Sequence, residues 1–264
     1  MLPPSVPADL PAHGLDTAIV GREVRSFHLV ESTQDIARAA GWQGTPEGLA
    51  VFADAQTAGR GRLGRRWQAP AGASLLVSVL LRPPARAAGS LTIVGSLAVC
   101  LAIEECTGLG CLLKWPNDVL IDTRKAAGLL AEGEMAGTEA GFVVLGIGIN
   151  VNLEPDQLQG VAYPATSLSA QLGKSVSRLQ LSVALLRHLD RLYLRACGGE
   201  PPVAEWRARL VTLGQHVLVE TGAGTEEGLA EGVDETGALL LRRADGSLLS
   251  LLAGEVTLQA PFHR

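Results

Sequence analysis

Gly146-Ile147-Gly148-Ile149-Asn150 is the stretch on which the fold turns. Successive side chains of a strand point to opposite faces. Ile147 and Ile149 therefore share one apolar face, the core side, while Gly146, Gly148 and Asn150 share the other. Two glycines weaken a strand. Their presence side by side implies close approach: either a flat ligand lies against that face, or another element of the chain packs on it. Asn150 places an amide, both donor and acceptor, at the rim.

Working outward, Phe142 to Asn152 pairs with Ala126 to Glu134, and Val119 to Asp122 pairs back on Cys111 to Trp115. Further strands are expected at Glu23 to Val30, Leu49 to Ala53 and Leu75 to Leu81. Ser32 is placed as an N-cap ahead of a helix running through Ala40. Longer helices are expected over Ala88 to Cys106 and over Ser177 to Ala196, the latter with Leu181, Leu185, Leu189 and Leu192 at helical spacing. Gly198-Gly199-Glu200-Pro201-Pro202 interrupts the pattern, and a short helix is expected over Val203 to Leu210. From Leu213 onward the chain reads as short alternating strands with hairpin turns at Asp234 to Gly237 and Asp245-Gly246. The organisation expected is α+β: residues 1–22 a loose proline-bearing leader, 23–212 a larger unit with a mixed sheet flanked by helices, and 213–264 a small β-barrel.

Net charge and composition bound the function. The chain has 264 residues, 47% hydrophobic and 19% charged, with a formal net charge of -5. That balance argues against a general nucleic-acid binder, which needs a basic face. The apolar run Leu91 to Ile103 is too short to span a bilayer. Cys100, Cys106, Cys111 and Cys197 form no C-x-x-C pair, so free thiols in a reducing cytoplasm are expected. No secretory signal is expected, and no resident metal site.

Against this acidic background, Gly59-Arg60-Gly61-Arg62-Leu63-Gly64-Arg65-Arg66-Trp67 concentrates four arginines and three glycines in nine residues. Arginines so close repel one another unless an anion sits among them. Glycines let backbone N–H groups approach that anion. A second cluster, Lys114-Trp115-Pro116-Asn117-Asp118, sets a cation and a carboxylate around a rigid turn. Lys125 follows after one hairpin arm, which brings it to the same end as Asp118. Ser32-Thr33-Gln34 opens a helix, where free N–H groups and hydroxyls converge. Gln56, on the strand exit before the basic loop, reaches towards the same place. Many cations, one carboxylate and a glycine-lined face suit a carboxylate substrate brought against a nucleotide phosphate. No G-x-x-x-x-G-K-[ST] loop, G-x-S-x-G elbow or H-E-x-x-H motif is present.

These segments, with Lys125-Ala126-Ala127-Gly128-Leu129-Leu130, resemble the biotin protein ligases in order and spacing, over roughly residues 25 to 262. The resemblance implies a class II aminoacyl-tRNA synthetase-like catalytic fold with an SH3-like C-terminal barrel. It implies activation of biotin by ATP, with Mg2+, to biotinyl-5′-AMP. Transfer to a lysine of a biotin carboxyl carrier protein follows, acetyl-CoA carboxylase or a related biotin enzyme supplying the carrier. It carries over a biotin-binding role to Ser32, Thr33, Gln34, Gln56, Gly59, Arg60, Gly61, Arg62, Lys125, Gly128 and Gly148. It carries over ATP or adenylate binding to Arg60, Arg62, Arg65, Trp67, Lys114, Asn117, Lys125 and Asn150. Lys125, Arg60 and Asp118 are the expected catalytic residues, with Asp118 receiving or orienting the acceptor amine. Some members carry an N-terminal DNA-binding domain of about 60 residues. Fewer than 25 residues precede the first strand here, so a ligase-only member without nucleic-acid or membrane partners is expected. Monomer and homodimer both stay open. The lipoate ligase signature Arg-Arg-x-Ser-Gly-Gly-Gly is missing.

Overall fold

The computed structural model describes residues 7–67, 69–136, 139–158 and 164–258. Residues 1–6 of the expected leader and 259–264 of the expected C-terminal unit lie outside them. The glycine-bearing strand sits near the middle of a seven-stranded sheet. In chain order the strands are β1 (Glu23–Val30), β2 (Leu49–Gln56), β3 (Ser74–Leu81), β4 (Leu112–Lys114), β5 (Asp118–Ile121), β6 (Arg124–Ala136) and β7 (Glu139–Asn150). Their spatial order is β1-β2-β3-β7-β6-β5-β4. The β1–β2 pair is parallel and the other pairs are antiparallel, so the sheet is mixed as expected.

Residues directly opposite one another across these pairs share a face, and the register divides the sheet cleanly. Ile147 and Ile149 of β7, Leu75 and Val77 of β3 and Leu129 of β6 lie in one continuous core. Helix α3 (Leu91–Thr107) packs on that side, its Gly95 so close that a Cβ would meet Leu129 at 2.7 Å and Leu145 at 2.9 Å. α3 is buried nearly all round, between the sheet and helix α5 (Arg178–Cys197). On the opposite face, α1 (Thr33–Trp42) covers only one end. There Ala37 and Ala40 join Leu80, Phe142 and Val144 in a second, smaller core. The uncovered remainder of this face carries Gly146, Gly148 and Asn150.

Two expectations change. The helix expected from Ala88 is two: α2 (Ala85–Ala88) ends at Gly89, and α3 starts afresh after Ser90. The leader is not loose over residues 7–22. Leu10 and Val20 are buried. The buried Asp190 carboxylate of α5 accepts N–H groups of Ala18, Ile19 and Val20 at 3.0, 2.8 and 2.8 Å. Arg178, 2% exposed, pairs with Asp9 and with Asp54 of β2. Proline content hid these anchors, whose partners lie some 170 residues away. Asp190→Ala should cost about 2 kcal/mol, because three N–H groups lose a charged acceptor. That lowers Tm by roughly 4–8 °C in a chain of this size; an unchanged thermal melt would refute the anchoring role.

After α4 (Leu168–Leu172), α5 and the short α6 (Val203–Arg207), five antiparallel strands follow. They are β8 (His216–Thr221), β9 (Gly224–Val233), β10 (Leu239–Arg242), β11 (Leu248–Leu251) and β12 (Glu255–Leu258), ordered β11-β10-β9-β8-β12. The arrangement agrees with an SH3-like fold; among the described residues no ladder closes it into a barrel. Its inward residues, Val217, Val219, Leu239 and Leu241 among them, belong to the same core as α3 and the large sheet. Trp115, 1% exposed, donates its indole N–H to the Gly237 carbonyl at 2.9 Å, and its backbone N–H goes to Thr212 Oγ1 at 2.9 Å. The segment Lys114–Asp118 is thereby held by both units. Among the described residues, no helix is long and apolar enough to cross a membrane.

Candidate active site

The uncovered sheet face is the floor of a cavity of about 610 Å3. Its rows follow from the strand register. Ser78, Gly146 and Leu130 lie opposite one another in one row. Leu76, Gly148, Gly128, Asp118 and Lys114 make the next, running across five strands. Ser74 and Asn150 begin a third. All but Ser74 line the cavity.

At the Gly146 row the wall is the start of α1. Ser32 caps the helix, its hydroxyl accepting the Gln34 N–H at 3.3 Å. The Gln56 side-chain carbonyl accepts the Thr33 N–H at 2.7 Å and the Thr33 hydroxyl at 3.0 Å. The Ser78 hydroxyl lies 2.8 Å from that of Thr33 and donates to Gln34 Oε1 at 2.9 Å. Gln34 Nε2 donates to the Val144 and Leu130 carbonyls at 3.2 and 3.3 Å. Ser32, Thr33, Gln34 and Ser78 are all buried. A Cβ on Gly146 would stand 2.5 Å from Gln34 Oε1. The glycine is thus the space this amide occupies. The result is a buried pocket end whose donors and acceptors hold one another in place.

The middle row carries the charge. Lys125 Nζ is 2.6 Å from Asp118 Oδ1, as the hairpin reading expects. The Lys125 backbone is pinned on both sides, its N–H donating to Pro164 and its carbonyl accepting from Thr166. Lys114 is 5% exposed. Burial lowers its pKa; Asp118 and Glu255 oppose that shift, and Lys125 and Arg65 add to it. Asn117 holds Arg62 Nη1 at 3.0 Å and fixes its own amide on the Leu129 carbonyl at 2.7 Å. Burial lowers the Arg62 pKa, against the pull of Asp118 and Glu255.

The basic loop is itself a small hairpin. The Trp67 N–H donates to the Gly59 carbonyl at 3.0 Å and the Gly61 N–H to the Arg65 carbonyl at 2.8 Å. Leu63 and Gly64 turn the tip with φ of 55° and 72°. Arg60 is held away from the other arginines by Asp35 at 2.7 Å and Glu132 at 3.4 Å. Arg65 pairs with Glu255 of β12, so the C-terminal unit contributes to the cavity. Gly59 closes the hairpin: a Cβ there would stand 2.5 Å from the Trp67 carbonyl oxygen.

The flat group on the glycine face belongs to the chain itself. The Trp67 indole lies over Gly148 and Gly128, where added Cβ atoms would approach its ring carbons to 2.6 and 3.1 Å. Its N–H is buried without an acceptor. Such a donor costs free energy, so a planar ligand that lifts the ring aside forfeits no hydrogen bond of the indole. Asn150 donates Nδ2 to the Thr166 carbonyl at 3.1 Å.

Ser32, Thr33, Gln34, Gln56, Arg60, Gly61, Arg62, Arg65, Trp67, Lys114, Asn117, Asp118, Lys125, Gly128, Gly148 and Asn150 converge on this one cavity; Gly59 does not line it. Ser78 and Glu255 were not foreseen. Ser78 had a signal: in Ser74-Leu-Leu-Val-Ser78 the two hydroxyls and Leu76 alternate onto the glycine face. Glu255 had none, standing 190 residues from its arginine.

The profile of the biotin/lipoate A/B protein ligase family matches residues 26–150, and that of the biotin protein ligase C-terminal domain matches 212–258. The chain is 35% identical to the bifunctional ligase/repressor BirA of Bacillus subtilis, over 88% of this chain and 73% of that one. It is 36% identical to the biotin–[acetyl-CoA-carboxylase] ligase of Paracoccus denitrificans, over 74% and 85%. The Aquifex aeolicus biotin protein ligase in complex with biotin and ATP superimposes with a TM-score of 0.76 at 29% identity, over 90% and 99%.

Proposed function

The chain belongs to the biotin protein ligase family, and from that premise we propose that it joins biotin and ATP into biotinyl-5′-AMP and passes the biotinyl group to a carrier lysine. The observation that carries this reading is the cavity's division. A buried end of fixed donors and acceptors at Thr33, Gln34, Gln56 and Ser78 shares the cavity with the cations at Lys125 and Arg62. A biotin ureido ring presents two N–H donors and a carbonyl, which suit the first end. Its carboxylate then extends towards the second.

In the first step the carboxylate attacks the α-phosphorus and pyrophosphate leaves. Two anions must meet, and preorganised cations in a water-poor site lower that barrier most. Lys125 bridges them: its ammonium has three donors, one of them spent on Asp118. Arg60, Arg62 and Arg65 accompany the phosphates as the loop closes. Adenine takes the glycine floor, with Trp67 lifting by about 3.5 Å, one ring contact, to lie over it. Asn150 and Asn117 line its edge. Asp118 orients: with Lys125 at 2.6 Å its charge is engaged, and it holds the ammonium in place. Mg2+ would accompany ATP and would be held mainly by phosphate oxygens and water, neutralising phosphate charge. Among the described residues no three His, Cys, Asp or Glu side chains converge on a metal position.

The acceptor is a biotin carboxyl carrier protein of an acetyl-CoA carboxylase or related enzyme, met in the cytoplasm. DNA repression is no part of the proposal: the chain's net charge is -5, and its arginine-rich loop faces a cavity. Mixing the protein with ATP, Mg2+ and biotin should release pyrophosphate, and an added carrier domain should gain the mass of one biotin. Release with lipoate or octanoate in place of biotin would overturn the substrate assignment.

A further inference from the structure

Attack on the acyl-adenylate requires a neutral amine, yet a free lysine near pH 7.4 is neutral only about once in a thousand molecules. The ordinary remedy is a general base whose pKa lies near the working pH. No such group lines the cavity among the described residues: it contains no His, Cys or Tyr. Its carboxylates are Asp118, engaged by Lys125 at 2.6 Å, and Glu255, engaged by Arg65. Its cations are Arg60, Arg62, Arg65, Arg66, Lys114 and Lys125. Six positive charges thus face two negative ones, and the single charge of an adenylate phosphate does not reverse the balance.

The charges differ in weight. Arg65 and Arg66 are exposed and screened, and Arg60 is offset by Asp35 and Glu132. Lys114 is the deepest, 5% exposed, beside Asp118 on the row that holds Gly128 and Gly148. The groups that face it are Asp118 from β5, Lys125 from β6, Arg65 from the loop and Glu255 from β12. In such a setting a like charge acts strongly on an arriving ammonium.

Resting on the ligase reading, we propose that Lys114, with Lys125 and Arg62, delivers the acceptor lysine as a neutral amine by repelling its ammonium form, so that transfer needs no general base from the protein. The first proton goes to water as the side chain enters. The amine lone pair then forms the C–N bond to the biotinyl carbon, the C–O bond to phosphate breaks, and AMP leaves with that electron pair. The second N–H proton passes to water through the departing phosphate, whose second pKa is near 6. Lys114 is a positioning residue here, acting on the amine through its field.

The test is single-turnover transfer from enzyme-bound biotinyl-5′-AMP to a carrier domain between pH 6 and 10, at constant ionic strength. Hydroxylamine, already neutral at pH 7.4, serves as a parallel nucleophile. For wild type the rate should rise with pH to a plateau, with a midpoint at least one pH unit below that of a free lysine. Lys114→Met should move the midpoint up by about one pH unit. Whatever its plateau, its carrier transfer at pH 7.4 should fall roughly tenfold further than that plateau does, whereas any change in its hydroxylamine rate should be the same at every pH. Asp118→Asn should move the midpoint down, because a negative charge is lost. A Lys114→Met midpoint equal to wild type would overturn the proposal. So would an Asp118→Asn rate depressed at every pH with its midpoint in place, which marks a carboxylate base. No transfer to either nucleophile would instead sink the ligase reading itself, and this inference with it.

Discussion

Lys125→Met should slow biotin-dependent pyrophosphate release about a hundred- to a thousandfold while weakening biotin binding less than about tenfold. The asymmetry follows from where the charge is needed. In the proposed reading, biotin's ring meets neutral groups at the start of α1 and not Lys125. The ammonium matters when carboxylate and α-phosphate come together, and one preorganised donor at such a developing charge contributes roughly 10²–10³ in rate. The side chain is also unusually well placed to give that full effect: its backbone is bonded on both sides to residues 164 and 166, and Asp118 aims its ammonium. Lys125→Arg should rescue little, since a planar fork replaces a point charge. Pre-steady-state pyrophosphate release and calorimetric biotin binding separate the two quantities. Parallel losses of similar size would mean that Lys125 anchors biotin in its ground state and does not bridge.

Why that residue was legible without coordinates, and others were not, has a physical basis. Lys125 and Asp118 are joined by one hairpin arm, so a local rule brings them together. Gly146, Gly148 and Asn150 are legible because a strand has period two, and the face they share is the one left uncovered. Thr33 and Gln56 sit where strand meets helix, where unpaired backbone groups concentrate. The failures are long-range. Asp9 and Asp190 secure a proline-rich leader through partners about 170 residues away, and Glu255 reaches Arg65 from the other unit. No pattern within a window of sequence carries such pairs. Trp67 lies between these cases. The glycines announced a flat occupant, but its identity as the chain's own indole depends on a hairpin formed by the loop.

That indole supports the second large effect. Gly148→Val should reduce biotin-dependent pyrophosphate release at least about a hundredfold and weaken ATP binding, with little loss of stability. A Cβ at this position stands 2.6 Å from the Trp67 ring, inside any allowed contact, and valine adds two methyl groups beyond it. The ring is then expelled from the floor, and the slot where adenine would lie is filled by the new side chain. Displacing a reacting group by even 1 Å can cost about 10²-fold. The fold itself has reason to tolerate the change. Ile147 and Ile149 keep the core side, and a β-branched residue suits a strand better than glycine does. Gly146→Ala is the graded comparison: its Cβ meets Gln34 Oε1 at 2.5 Å, the far end of a side chain tied to Ser78. It should impair biotin binding and leave ATP binding largely intact. The two variants therefore separate the ends of the cavity. Near wild-type turnover by Gly148→Val would show that neither adenine nor Trp67 uses that floor, and the division of the site would have to be redrawn.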